Sequence, residues 1–220
     1  MQNQKKWLKL HTEKRHQPRY PMGDTVSFVF RNFPKNGKIL DLGCGAGRNM
    51  KFLAENGFDA YGCDYSSSGI EASKALLLEY KLKGDLQVAS VDKLPYEDDF
   101  FDGLICYGVL CYNDKNTVEK AADEIYRVIK KGSKAYIVVR TLDDYRYATA
   151  KKIDKYQTII QEEDASRAAF KENGMFMYFF DKEEVKRVFY KFDNITINRL
   201  RVSFNNDSFA NDDFAIICQK

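Results

Sequence analysis

The chain has 220 residues, 30% of them charged, with 35 Lys and Arg against 32 Asp and Glu and a formal net charge of +3. That length suits one well-buried α/β domain, and so mild a charge argues against an obligatory polyanion partner. Five cysteines, odd in number and without a C-x-x-C pair, argue against a zinc ribbon or thioredoxin-type dithiol and fit a reducing cytoplasm. No apolar run matches a signal-peptide core or a bilayer span, so a soluble cytoplasmic protein is expected, with no membrane partner and no metal.

Residues 1–20 are polar and basic, with Trp7, Leu8 and Leu10 as the apolar exceptions. Pro21 introduces a helix over 23–33, in which Val26, Phe30 and Phe33 recur at helical spacing. Strands and helices then alternate: strand 38–42, helix 46–56 ended by Asn56-Gly57, strand 58–63, helix 67–82, strand 85–90, a loop over 92–99, strand 101–107, helix 115–130 and strand 134–140. Such alternation predicts a mostly parallel sheet covered on both faces. Residues 141–175 break the rhythm, as an active-site lid or a disordered segment does. Met175–Phe180 is aromatic and strand-like, and Asp181 followed by Glu184 has capping-box spacing for a helix. Strands 193–204 and 213–219 close the chain around a turn at Asn205–Ser208. The expected organisation is an N-terminal arm over 1–36, a ligand-binding core over 37–140, a substrate lid over 141–180 and closing elements over 181–220.

Three strand ends carry the chemistry. The first strand runs into Asp41-Leu42-Gly43-Cys44-Gly45-Ala46-Gly47. These glycines read G-x-G-x-G, one residue tighter than the G-x-G-x-x-G of a dinucleotide fold. Asp41 would repel a pyrophosphate but suits an ammonium, while the opening amides of the next helix suit a carboxylate. A ligand with both groups is an amino acid. Asp64 ends the second strand, where an acid can accept both hydroxyls of a ribose. After the third strand comes Val91-Asp92-Lys93-Leu94-Pro95-Tyr96, in which Asp92 can accept from an exocyclic amine and Leu94 can cover a base.

In this order, DLGCGAGR, GCDYS and VDKLPYEDDFFDGLICY resemble the class I S-adenosylmethionine-dependent methyltransferases, type 11 branch. The resemblance implies a Rossmann-like, seven-stranded, mostly parallel sheet with an antiparallel last strand. It implies S-adenosylmethionine as cofactor and S-adenosylhomocysteine as product. It places the Asp41–Gly47 turn (Asp41, Gly43, Cys44, Gly45 and Gly47) around the methionine moiety, Asp64 at the ribose and Asp92 at the adenine, with Arg48, Tyr65, Lys93 and Leu94 as further cofactor contacts. Tyr107, ending the fourth strand, completes the cofactor set. A fainter resemblance, carried by the N-terminal arm and residues 140–147, is to bacterial methyltransferases of surface-polysaccharide building blocks.

The acceptor is less legible. Many relatives carry a His after the fourth strand, where this chain has Gly108-Val109-Leu110-Cys111-Tyr112-Asn113, leaving Tyr112 as the available substitute. The two histidines are His11 and His16. His16, Arg19 and Tyr20 from the arm, with Arg140, Tyr145 and Arg146 after the fifth strand, are the candidate acceptor contacts, and His16 is a second candidate base. Arginines suit anionic groups and tyrosines suit sugar faces. The expected activity is methyl transfer to an oxygen or nitrogen of a small polar acceptor: a sugar, a sugar nucleotide or a carboxylate metabolite. The alternatives are an RNA methyltransferase, against which stand the low charge and the missing [DN]-P-P-[FY] motif, and a non-catalytic cofactor-binding module. A nicotinamide dehydrogenase is disfavoured by the glycine spacing. Oligomeric state is not read from these features.

Overall fold

The computed structural model describes residues 2–220. Helix α1 (Gln2–Leu10) and a 3-10 turn (Lys14–His16) form the N-terminal arm, followed by α2 (Gly23–Asn32). The core alternates β1 (Lys38–Leu42), α3 (Arg48–Glu55), β2 (Asp59–Asp64), α4 (Ser67–Glu79), β3 (Asp85–Val88), β4 (Phe101–Tyr107), α5 (Lys115–Val128) and β5 (Ile129–Arg140). Then come α6 (Tyr145–Thr149), β6 (Lys151–Lys152), β7 (Gln157–Ile159), β8 (Phe176–Tyr178), α7 (Lys182–Val188), β9 (Asn194–Phe204) and β10 (Phe209–Gln219).

Seven strands form one sheet in the order β3-β2-β1-β4-β5-β10-β9. The first five are parallel, and β10 runs antiparallel to β5 and to β9. The expected sheet is therefore the observed one. Both faces of the sheet's centre are buried because apolar residues fill both alternating sets along β1, β4 and β5. Leu40, Leu42, Leu104, Cys106, Ile137 and Val139 join one core with α5 and α7. Ile39, Ile105, Tyr136 and Val138 join the other with α2, α3 and α4. Strand order reverses between β1 and β4, so their carboxyl ends open a crevice. All five cysteines are buried and free, each behaving as a small apolar residue.

Helix starts follow their caps. Ser66 accepts from the Gly69 amide at 3.2 Å, Asp114 from Thr117 at 2.9 Å and Asp181 from Glu184 at 2.8 Å. Three boundaries differ from expectation. The fifth strand begins at Ile129 because Ile129 already pairs with Phe101, and left-handed Gly132 lets the register jump to Gly103–Lys134. The third strand stops at Val88, after which the chain turns and Ser90 bridges to Lys93. The closing hairpin is longer than expected, turning on Asn205, Asn206 and Asp207 with φ of 49°, 53° and 64°.

The largest difference lies in 141–180. It folds as a small antiparallel sheet, β6-β7-β8, over its own core of Cys111, Tyr145, Ile160, Ala169, Met177 and Phe179. Tyr145, Ile160, Ala169, Met177 and Phe179 are buried together, so the segment carries an apolar cluster of its own.

Candidate cofactor and acceptor site

The crevice holds a cavity of about 580 Å³ that runs from the glycine turn to the carboxyl end of β5. At the turn, Gly43, Gly45 and Gly47 have φ of 75°, 50° and 87°. A Cβ on Gly43 would strike the Val109 side chain, and one on Gly47 would strike Ser73, including its backbone at 3.0 Å. The turn is thereby held flat against its neighbours, and Gly43–Arg48 lines the cavity. Asp41 lies buried behind it. One oxygen accepts from Asn49 at 3.1 Å, and the other has no partner among the described residues. Burial pushes its pKa up to about 6, against the pull of the Asn49 hydrogen bond and the Arg48 charge.

Asp64 ends β2 with its carboxylate already anchored. Oδ1 accepts from the Ser66 amide at 2.8 Å and Oδ2 from the Gly45 amide at 2.9 Å. Each oxygen keeps a lone pair for a ligand. Tyr65 and Val91 extend this wall, and Trp7 and His11 from the arm also line it. The expected base-covering residues are placed differently. Asp92 faces an adjoining cavity of about 510 Å³ together with Tyr65 and Ser90, where Ser90 donates to its carboxylate. Leu94 is in the core, because its amide is tied to Glu124 and its carbonyl to Arg127. Lys93 is exposed and lines neither cavity.

The acceptor end differs from expectation more. Arg140 faces the cavity, but its partners come from β10. In the β5–β10 register Arg140 sits opposite Asp213, and Nη1 donates to Asp213 at 2.9 Å. The same Nη1 lies 3.4 Å from Asp144, so Nε and Nη2 stay open. Asp213 offers its other oxygen to the cavity. Burial raises its pKa to about 6 and Asp144 adds to this, while Arg140 opposes it. Asn211, Arg201, Asp24 and Tyr107 complete this end, with the Arg48 guanidinium 5.1 Å from the centre of the Tyr107 ring. His16 also lines the cavity, and its Nε2 makes no hydrogen bond among the described residues.

No residue of 141–180 lines this cavity. Arg146 is buried as a brace, donating to Glu172 at 2.7 Å and Asn211 at 3.0 Å, close to Asp144. Tyr145 packs in the small core with Phe209, its hydroxyl accepting from the Ala169 amide at 3.2 Å. Arg19 is on the surface, paired with Glu79 and stacked near Tyr80, and Tyr20 is 73% exposed. None of these four lines the cavity. Tyr112 does line the cavity, yet its hydroxyl donates to Glu172 at 2.9 Å, and burial pushes its pKa well up, so it cannot serve as a base. Asp213, Asp24 and His11 carry no local signal that would single them out in sequence. Only the 140–213 strand pairing shows what Asp213 faces.

A family model for a methyltransferase domain matches residues 40–137. The match covers a little under half of the chain. Among solved structures, a S-adenosylmethionine-dependent methyltransferase of Methanosarcina mazei superposes with a TM-score of 0.71 at 21% identity, covering 88% of this chain and 96% of that one. Over 114 residues the chain is 29% identical to the ubiquinone/menaquinone biosynthesis C-methyltransferase of Geotalea daltonii, covering 48% of this chain and 46% of that protein. Over 124 residues it is 32% identical to an Arabidopsis thaliana tRNA (carboxymethyluridine(34)-5-O)-methyltransferase, covering 55% of this chain and 28% of that protein. The chain spans less than half the length of the curated relatives it matches.

The Methanosarcina mazei structure is that of an S-adenosylmethionine-dependent methyltransferase, and the residues of this site fit that cofactor. The unpartnered Asp41 oxygen behind the turn suits the ammonium, the turn's cramped glycines suit a close backbone approach, and Asp64 has free lone pairs for hydroxyls. Among the described residues no cluster could hold a metal, and no helix is long and apolar enough to cross a membrane.

Proposed function

We propose that this protein transfers a methyl group from S-adenosylmethionine to an oxygen or nitrogen of a small polar acceptor held at Arg140 and Asp213. The observation that carries the reading is one continuous cavity, with Gly43–Arg48 and Asp64 at one end and a half-open Arg140–Asp213 pair at the other. The cofactor supplies an electrophilic sulfonium methyl. The protein's part is to align the acceptor with it, and alignment alone is worth roughly 7–11 kcal/mol.

Arg140 presents Nε and Nη2 to an acceptor oxygen, and Asp144 and Asp213 fix its plane. Asp213 presents a carboxylate oxygen to the acceptor's O–H or N–H and takes its proton as the methyl is transferred. With a pKa near 6, that carboxylate is both ionised and basic at neutral pH. Donor and acceptor side by side suit a hydroxyl flanked by a carbonyl, a carboxylate or a second hydroxyl, as in sugar derivatives and hydroxy acids. A crevice of this size supports a small acceptor over a polynucleotide.

The test is methyl transfer from labelled S-adenosylmethionine to sugar nucleotides, phospho-sugars, hydroxy acids and a transfer RNA transcript. Label in a small acceptor, lost in Asp213→Asn, is expected. Label in the transcript alone would replace this reading with the RNA one.

A further inference from the structure

The N-terminal arm reaches the cofactor end of the cavity through His11, just past the end of α1. The ring is wedged between the glycine turn and the first turn of α4. A Cβ built on Gly69 would lie 2.7 Å from Nδ1, and one on Gly45 would lie 3.3 Å from Nε2. Two glycines thus leave the room the ring fills. The helix is held there by its neighbours. The Asn3 side chain donates to the carbonyls of Tyr112 at 2.7 Å and Phe176 at 2.8 Å and accepts from the Phe176 amide at 3.0 Å. Trp7 packs edge-on to Tyr112, with ring centres 5.1 Å apart.

Counting protons assigns the tautomer of His11. The single hydroxyl proton of Ser68 goes to the Leu8 carbonyl at 2.8 Å. The 3.0 Å contact between Ser66 Oγ and Ser68 Oγ therefore takes its proton from Ser66. Ser66 has none left for His11, so in their 3.0 Å contact Nδ1 is the donor. Ser66 Oγ then accepts twice, from Nδ1 and from the Gly69 amide at 3.2 Å. Nε2 carries the lone pair, and His11 and Asp64 line the same cavity.

We propose that His11 belongs to the cofactor site: Nε2 and the Asp64 carboxylate form a pair of acceptors for the two hydroxyls of the ribose. The inference rests on the cofactor reading above. It gives Ser66 and Ser68 a purpose beyond capping α4, since their relay points Nε2 inward. It also makes cofactor affinity depend on pH. The titratable groups acting on His11 are Asp64 at the end of β2 and His16 of the 3-10 turn; α4 and the glycine turn present Ser66, Ser68, Gly69 and Gly45 to it. Burial lowers the pKa of His11 and His16 adds to this, with Asp64 opposing. The ring is then neutral at neutral pH, and acidification turns Nε2 from acceptor into donor.

Calorimetric titration of the full chain with S-adenosylhomocysteine tests this, alongside the 2′-deoxy and 3′-deoxy analogues. His11→Ala is expected to weaken S-adenosylhomocysteine about tenfold, the worth of one good hydrogen bond. Against one of the two deoxy analogues that loss should vanish. Wild-type affinity should fall on acidification below the ordinary histidine range, and His11→Gln, which stays neutral, should fall less. If His11→Ala does not fold, His11→Gln carries the test alone. Equal losses against all three ligands, or the same pH slope in His11→Gln, would overturn the role of His11 while leaving the cofactor reading intact. Failure of the wild type to bind at millimolar ligand would overturn the cofactor reading itself.

Discussion

The two ends of the cavity are held in place by different means. At the donor end the wall is main chain: a turn of three left-handed glycines, braced by Val109 and Ser73 and by the hydrogen bond from the Gly45 amide to Asp64. At the acceptor end it is a side-chain network. Arg140, Asp213, Asp144, Arg146, Glu172 and Tyr112 are linked from the cavity into the core of the small sheet. A main-chain wall can change only by changing the fold, which suits a ligand that stays the same. A charge network can be re-specified one side chain at a time, which suits a ligand that differs between relatives. Substitutions at the two ends should therefore separate, donor-end changes moving cofactor affinity and acceptor-end changes moving turnover.

Asp213→Asn puts that separation under the greatest strain. Loss of a positioned general base lowers kcat/KM by about 10²–10⁴-fold. Wild-type turnover of a hydroxyl acceptor should rise with pH through about 6, as the Asp213 carboxylate ionises, and the residual activity of the variant should not. S-adenosylhomocysteine affinity should be unchanged in calorimetry. A parallel loss of affinity would mean that the two ends are one site.

Arg146→Met tests whether the acceptor end depends on the small sheet. Removing one member of a buried charged set leaves Glu172 and Asp144 short of a partner, a cost of about 3–5 kcal/mol. A urea midpoint well below wild type, with KM for the acceptor raised and cofactor affinity kept, is the expected pattern. An unchanged midpoint would show that the network does not brace Arg140.

The asymmetry also explains what the sequence discloses. The donor end is legible because its parts are local. Asp41, the three glycines and Asp64 fall within 24 residues, each at a strand end whose apolar run marks it. The acceptor end joins Arg140 to Asp213 across 73 residues, through an antiparallel register that no local pattern encodes. Arg146 and Tyr145 look like ligand contacts in sequence because they follow a strand end. The structure uses both in and beside the small core, whose apolar residues are scattered through 141–180 and read only as a break in rhythm. His11 is hidden for the opposite reason. The helix before it is short and polar, and only the glycines at 45 and 69 make room for its ring.

Asp64→Ala probes the donor end. It removes the carboxylate facing the ribose and unpairs the amides of Gly45 and Ser66. One charge-assisted bond to the ligand is worth about 1.5–3 kcal/mol, or roughly ten- to a hundredfold in affinity. Turnover at saturating S-adenosylmethionine should fall much less than affinity. An equal fall in both would place Asp64 in the chemical step.

Asp41→Asn yields the smallest change and the clearest sign. Asp41 is fully enclosed, and its folded pKa is near 6 against an ordinary value of 3.8. The folded chain therefore holds a proton that the unfolded chain gives up between those values. Wild-type stability falls as pH rises from about 4 to 6 and then levels, because above 6 the buried carboxylate is charged in both states. Asparagine keeps the hydrogen bond from Asn49 and does not titrate. The variant should gain on wild type across that window by roughly 2 kcal/mol, each pH unit between the two values contributing at most about 1.4 kcal/mol. Urea midpoints at pH 4 and pH 7.5 measure the gain. The gain should come with weaker S-adenosylhomocysteine binding at pH 7.5, since an ammonium near an amide loses its countercharge. A variant more stable and equally tight would separate Asp41 from the ligand and leave it a purely structural acid. A variant more stable and weaker would show that the donor end, for all its main-chain rigidity, carries one destabilising charge because the ligand requires it.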